Sequence, residues 1–342
     1  MAASLIRGLL AVLVVGLLVR DSRAADWRVE LVDMPAAPQR VIFGLDRNYL
    51  ASVRVEAEGG RWFRLETCGE SICPQAITQP VDILPLPPDA LPDGRLATGR
   101  NDIRAAWYAK PTRRYGHGVL GDAIEAEALV VENELRKRFT LTLNLESVFE
   151  DLEPRIADLD GDKSDEVIVV RSYVHKGAAL AIARLTGLHG LEIVAETPPV
   201  GQPNRWLNPA GIADFDGDGR LEVAIVVTPH IGGRLEFWDY RDGRLTLKRA
   251  LNGFSNHAAG SRALQMSVAG DFDSDGIADL LVPSADRRTL RVISLAGGAV
   301  AEPLRIALPS PVVTEILPVR PARGQRPWLV MGLENGKLAV VR

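Results

Sequence analysis

The chain has 342 residues, 46% apolar and 25% charged, with 40 Lys and Arg against 44 Asp and Glu and a formal net charge of −4. That length buries a sizeable core as one repeat domain or two ordinary domains, and the composition is that of a globular protein. The charge is unevenly placed: 13 acids fall in three nine-residue segments, and outside them 38 Lys and Arg face 31 Asp and Glu with no long basic run, so no nucleic-acid partner is expected.

In chain order, residues 1–24 read as a secretory signal peptide. Arg7 precedes an apolar stretch, Gly8–Val19, of 12 residues, short of the ~20 that a membrane-spanning helix needs. Ser22-Arg23-Ala24 places small residues at the −3 and −1 positions of a cleavage site after Ala24. No later segment is long and apolar enough to span a membrane. Residues 25–342 are therefore expected as one exported domain, periplasmic or extracellular. Cys68 and Cys73, the two cysteines, read in that setting as a small-loop disulfide. A redox-active pair usually has two intervening residues, whereas these have four.

Trp27–Val32 is the first strand after the signal peptide. Residues 75–101 are rich in Pro and Gly and read as a surface loop or linker. His117–Glu132 offers a strand, a Gly121-Asp122 turn and a second strand, Ala126–Val131. Three repeats follow, at about 146–202, 203–260 and 261–312, each with four strands. The middle one shows the plan: Ala210–Ala213, an acidic loop, the apolar run Glu222–Val227, the alternating run Arg234–Tyr240, an Asp242-Gly243 turn, and Leu245–Arg249. Residues 313–342 hold three more strands, Val313–Val319, Trp328–Gly332 and Lys337–Val341. Trp27–Val32 would supply the fourth.

The acidic loops organise the chain. Asp158-Leu159-Asp160-Gly161-Asp162-Lys163-Ser164-Asp165-Glu166 recurs as 214–222 and as 271–279, at spacings of 56 and 57 residues. Acids stand at loop positions 1, 3, 5 and 9: Asp158, Asp160, Asp162 and Glu166; Asp214, Asp216, Asp218 and Glu222; Asp271, Asp273, Asp275 and Asp279. Four carboxylates so close repel one another unless a cation lies among them, and hard oxygen ligands suit Ca2+, up to three ions here. The position-7 carbonyls of Ser164, Arg220 and Ile277 would add backbone ligands. An EF-hand needs Glu at position 12, where this chain has Val169, Ile225 and Val282, followed by strand-like rather than helical runs. Lys163 at position 6 and Ser274 at position 4 replace the glycines of the other copies. The 158–166 loop is expected to be the weakest metal site and the 214–222 loop the strongest.

An acidic loop between strands at this spacing resembles the FG-GAP/VCBS repeat family of the integrin-alpha-like type. The resemblance covers about residues 146–312 and implies an all-β fold: a β-propeller of four-stranded antiparallel blades, with Ca2+ between the first two strands of a blade. The remaining length favours six blades and the resemblance seven, with loopless blades within 27–145 and 313–342. The ring would be closed by the N- and C-terminal strands, which removes exposed sheet edges.

Segments entering the inner strands carry Arg113 and His117, then Arg205 and Asn208, then His257 and Arg262. Converging at the end opposite the metal loops, they would form a pocket for an anionic or sugar ligand. The expected role is a binding scaffold for a protein or carbohydrate partner, with calcium structural. The alternative is a hydrolase or lyase acting on a polysaccharide or anion through the same residues. Nucleophile-elbow, metalloprotease and phosphate-loop motifs are all missing, so no catalytic residue is nominated and the reading leans away from an enzyme.

Overall fold

The structure is a computed structural model that describes residues 27–45, 51–68, 71–80, 86–187, 190–319 and 327–342. The expected signal peptide, 1–24, lies outside the described residues. Among those described, the chain is antiparallel β-strand throughout, with one short 3-10 turn at Ala296–Gly298. No helix among them is long and apolar enough to cross a membrane.

Strand β1 (Val29–Val32) is followed by a sheet of β2 (Pro38–Leu45), β3 (Ala51–Ala57), β4 (Arg61–Cys68) and β5 (Ser71–Ile77), paired in that order. A Cys68–Cys73 disulfide links the facing ends of β4 and β5. A nine-stranded sheet comes next, made of two four-stranded units. The first holds β6 (Ala97–Thr98), β7 (Ile103–Thr112), β8 (Glu125–Asn133) and β9 (Arg138–Thr142). Strand β10 (Ser147–Phe149) bridges it to the second, setting Phe149 opposite Ala126 and Ser147 opposite Tyr173. That second unit holds β11 (Arg155–Ala157), β12 (Glu166–Tyr173), β13 (Gly177–Thr186) and β14 (Gly190–Glu196).

Two further meanders follow: β15 (Leu207–Ala213), β16 (Glu222–Val227), β17 (Arg234–Arg241) and β18 (Arg244–Asn252), then β19 (Val268–Gly270), β20 (Asp279–Pro283), β21 (Thr289–Ser294) and β22 (Ala301–Ala307). The last sheet holds β23 (Leu317–Val319), β24 (Trp328–Gly332) and β25 (Leu338–Val341). Strand β1 completes it, pairing antiparallel with β25 from Val29 opposite Val341 to Val32 opposite Leu338.

One expected strand is missing. Strand β7 ends at Thr112, and 113–124 form the connection to β8, where Gly118 and Gly121 take positive φ of 69° and 102°. Gly121-Asp122 therefore lies in the β7–β8 connection and not in the β6–β7 hairpin, the counterpart of the acidic-loop hairpins.

Burial shows how the sheets stack. Every residue of β16 is buried, whereas β18, the outer strand, is largely exposed. A strand buried on both faces needs apolar cover on both sides. Shared cores supply it. One apolar cluster joins the units of β6–β9, β11–β14 and β15–β18, including Leu129, Ile168 and Ile225. A second joins β15–β18 to β19–β22 through Phe237 and Leu280. A third links β19–β22 to the last sheet through Leu281 and Met331. A fourth carries on to β2–β5 through Val330 and Val55.

Candidate functional site

The three acidic loops join β11 to β12, β15 to β16 and β19 to β20, and they share one hydrogen-bond scheme. The position-1 carboxylate accepts from the backbone N–H of positions 4 and 6: Asp158 from Gly161 and Lys163 at 2.8 and 3.0 Å, Asp214 from Gly217 and Gly219 at 2.7 and 2.8 Å, Asp271 from Ser274 and Gly276 at 2.6 and 3.1 Å. Asp160, Asp216 and Asp273 each accept from position 5 at 3.2 Å. Asp162, Asp218 and Asp275 accept from Ser164, Arg220 and Ile277 at 2.7, 3.0 and 2.8 Å. One oxygen of Glu166, Glu222 and Asp279 accepts from position 2 at 2.9, 2.9 and 3.0 Å.

Such winding needs positive φ at positions 4 and 6. Gly161, Gly217, Gly219 and Gly276 meet it at no steric cost. Lys163 and Ser274 are held in the same conformation, at φ 69° and 68°. These two departures from glycine leave the loop shape unchanged.

Three groups of carboxylates converge well enough to hold a metal ion: Asp158, Asp160 and Glu166; Asp214, Asp216 and Asp218; Asp271, Asp273 and Asp279. In the first and third the position-9 acid is buried, and its second oxygen, Glu166 Oε1 or Asp279 Oδ1, has no hydrogen-bond partner. Burial pushes the Glu166 carboxyl up to about 7 and the Asp279 carboxyl up to about 6, and neighbouring loop acids push the same way. Buried oxygens without donors, beside further carboxylates, fit a hard cation bound through oxygen. The middle loop differs. Its Glu222 Oε1 receives Lys248 Nζ at 3.0 Å, and the same ammonium contacts Asp216.

At the opposite end of these strands lies a cleft of about 270 Å³, lined by His117, Asn204, Arg205, Trp206, His230 and the 259–260 backbone among others. His117 Nδ1 lies 2.6 Å from Glu150 Oε1, which fixes the Nδ1 proton on the side of the carboxylate. Glu150 is fully buried; its other oxygen accepts from the Ser172 hydroxyl, and its backbone carbonyl accepts from Trp206 Nε1 at 2.9 Å. Burial raises the Glu150 carboxyl, and the hydrogen bond from His117 acts against that rise. Nearby Glu125 is also buried and is pushed up to about 10 by burial and then by the charge of Glu150, so it stands protonated at neutral pH. Trp206 stacks on the His230 ring at 6.0 Å and meets the His257 ring edge-on at 4.8 Å.

Of the residues expected to converge here, the structure brings His117 and Arg205 into one cleft. His257 is fully buried beneath it and reaches it only through His230, at 2.9 Å. Asn208 is buried among the strands, donating to the carbonyls of Asn256 and Leu264 at 3.2 and 2.8 Å. Arg262 is paired with Asp93 and Asp122, both at 3.0 Å, outside the cleft lining. Arg113 is exposed and also outside that lining. Arg205 is half-buried, and no acidic side chain lines the cleft. Glu150 and Glu125 were not nominated from sequence. Phe149-Glu150-Asp151, two acids directly after an apolar strand, was the available signal.

Comparisons with known proteins agree with the loops. The family described as FG-GAP-like repeat matches residues 158–225 and 214–282. No curated protein sequence matches the chain. Among solved structures, the exotype rhamnogalacturonan lyase YesX is similar at 12% identity and a TM-score of 0.39, over 88% of this chain and 72% of that one. BBS1N, in complex with ARL6DN, is similar at 14% identity and a TM-score of 0.34, over 92% of this chain and 95% of that one. Across residues 158–282 the FG-GAP-like repeat match, the repeated loop scheme and the four-stranded meanders coincide.

Proposed function

We propose that the chain is an exported β-propeller of six blades, braced by Ca2+ in its acidic loops, that serves as a binding scaffold. The six four-stranded units would be the blades, following one another in chain order around residues 27–342. Shared apolar cores support five of the six junctions. At the sixth, between β2–β5 and β6–β9, Glu315 Oε2 accepts from Val41 N at 3.2 Å and its Oε1 accepts from Arg95 at 3.2 Å. The β1–β25 pairing is the expected closing clasp. Export is supported by the disulfide and by the signal-like residues 1–24.

Calcium has a structural role in this reading. The carbonyls of Ser164, Arg220 and Ile277 would complete the acidic ligand sets. Each ion held at ten times its Kd adds about 1.4 kcal/mol to stability. Exported proteins meet millimolar Ca2+, enough to load even weak sites. Thermal unfolding in chelator and in millimolar Ca2+ tests this; identical melting temperatures would count against it.

The binding face is the cleft of His117, Arg205 and His230, and its ligand carries an anionic group such as the carboxylate of an acidic sugar. The observation that carries this is Arg205, a guanidinium on a concave surface without an acidic side chain. Binding of acidic oligosaccharides, compared with neutral counterparts of equal length, tests it by calorimetry. Arg205→Ala should abolish the preference for the acidic forms and Arg113→Ala should leave it intact. Equal affinity for both sugar classes in the wild type would remove the proposal.

The His117–Glu150 pair favours a second reading, an enzyme. With Nδ1–H held by the carboxylate, a neutral His117 keeps a lone pair on Nε2, as a general base requires. Turnover of an acidic polysaccharide that is lost in His117→Ala would establish it.

A further inference from the structure

We infer that the 214–222 loop is braced by the chain's own ammonium group, Lys248, in place of a divalent cation. This rests on the reading that such loops take Ca2+, and it distinguishes one loop from its two neighbours.

Position is the first argument. Strand β18 pairs with β17 with Leu247 opposite Trp238 and Arg249 opposite Phe237. Lys248 is thus the extra residue of a β-bulge, a device that turns one side chain out of the alternating pattern. Here the turned side chain enters the loop. Its Nζ contacts Asp216, lies 3.0 Å from Glu222 Oε1 and lies 3.5 Å from Asp218 Oδ2. An ammonium group has three protons to donate, and three carboxylates receive it. Arg241 adds a second fixed cation, 2.7 Å from Asp218.

The neighbouring repeats lack this arrangement. In the first, the irregularity between β13 and β14 leaves Val194 as the extra residue, which carries no charge. Arg184 reaches that loop at its edge, 3.0 Å from Asp162 and 3.9 Å from Glu166. In the third, the irregular stretch of β22 holds Glu302 and Pro303, and Glu302 is taken by Arg291 and Arg305. No lysine or arginine pairs with Asp271, Asp273, Asp275 or Asp279 among the described residues.

The orphaned oxygens follow the same division. Glu166 Oε1 and Asp279 Oδ1 are buried without a hydrogen-bond partner, whereas Glu222 Oε1 has Lys248. The converging metal-binding set includes the position-9 acid in the first and third loops and omits it in the second. A divalent ion entering the middle loop must evict a cation already touching the oxygens it needs, since Ca2+ takes 6–8 of them. The loop with the fullest glycine pattern is therefore the one least available to metal.

Counting bound ions on the intact chain by native mass spectrometry at increasing Ca2+ tests this. Lys248→Met keeps the apolar stem and removes the charge, and it should bind one more Ca2+ than the wild type. Asp216→Asn should leave the count unchanged in the wild-type background and remove the gained ion from Lys248→Met. Asp279→Asn should lose one ion in either background. A lower count for Asp216→Asn alone, which needs no lysine variant to fold, overturns the inference, as does a wild-type count of three. If neither the wild type nor Lys248→Met binds Ca2+, the calcium reading and this inference fall together. If only Lys248→Met binds, the lysine's role stands and calcium in the flanking loops is refuted.

Discussion

His257, beneath the cleft, and His230, in its lining, form a relay of fixed direction. The Ser261 carbonyl, 2.9 Å from His257 Nε2, can only accept, so the proton of a neutral His257 is on Nε2. His257 Nδ1 must then accept from His230 Nε2 at 2.9 Å, which leaves the lone pair of a neutral His230 on Nδ1. Burial lowers both rings, His257 to about 3 and His230 to about 4.

A histidine lowered by folding stays neutral in the native state, while the unfolded chain takes a proton below about pH 6.5. Its contribution is therefore present above that pH and is lost as pH falls towards the folded values. For the fully buried His257 the loss approaches about 1.4 kcal/mol per pH unit. Urea denaturation of the wild type and His257→Gln at pH 7.5 and 5.5 checks the sign. The stability difference between the two proteins should shrink on acidification.

Glu125 gives the opposite slope. Its folded value of about 10 lies above the unfolded value, so its contribution falls as pH rises from about 4.5. Glutamine keeps the shape and cannot ionise. Glu125→Gln should gain on the wild type by up to about 1.4 kcal/mol per pH unit above 4.5. Denaturation midpoints at pH 5, 6.5 and 8 measure it, and a constant difference would contradict the burial of an acid at this position.

Asp165, at position 8 of the first loop, ties two strand units together. It is buried, and its Oδ2 accepts from the backbone N–H of Arg100, Asn101 and Ile103 at 3.2, 2.8 and 3.4 Å. Its Oδ1 accepts from Asn101 Nδ2 at 3.0 Å. Asp165→Ala leaves several donors without a partner and should cost roughly 2–4 kcal/mol. Asp165→Asn keeps one acceptor and should cost less. Chemical denaturation ranks the two, and equal stabilities would refute the tie.

Gly233 shows a close approach that only glycine allows. A Cβ there would sit 1.6 Å from the Phe254 carbonyl oxygen, which is backbone and has nowhere to go. Gly232, next to it at φ 72°, has open space around its Cβ direction. Gly232→Ala should cost about 1–2 kcal/mol of backbone strain. Gly233→Ala should cost several-fold more or prevent folding, which expression and melting temperature would report.

Much of the strand plan was legible because apolar runs between turn signals specify buried strands. Glu222–Val227 and Trp328–Gly332 were read with the boundaries the structure has. The pairing of β1 with the C-terminal sheet was legible because three strands there lacked a fourth. What escaped depends on tertiary register. Lys248 lies in a run of alternating character, and only the bulge beside it turns its ammonium into the loop. Loop glycines marked 214–222 as the strongest metal site, while the ammonium that contacts its acids comes from 26 residues beyond Glu222. His117 and Arg205 were paired through assumed repeat equivalence. They do share a cleft, but from the β7–β8 connection and the entry to β15, which are not equivalent positions.

The union of Val29–Val32 with Leu338–Val341 has a consequence for biosynthesis. Val29–Val32 is synthesised long before its neighbour Leu338–Val341, whereas the other described sheets pair strands closer in sequence. Deleting Leu338–Val341 would leave Val29–Val32 without its strand neighbour and Trp328–Gly332 paired with Leu317–Val319 alone. Loss of that one strand should therefore show itself as protease sensitivity at Val29–Val32 and at Trp328–Gly332 together.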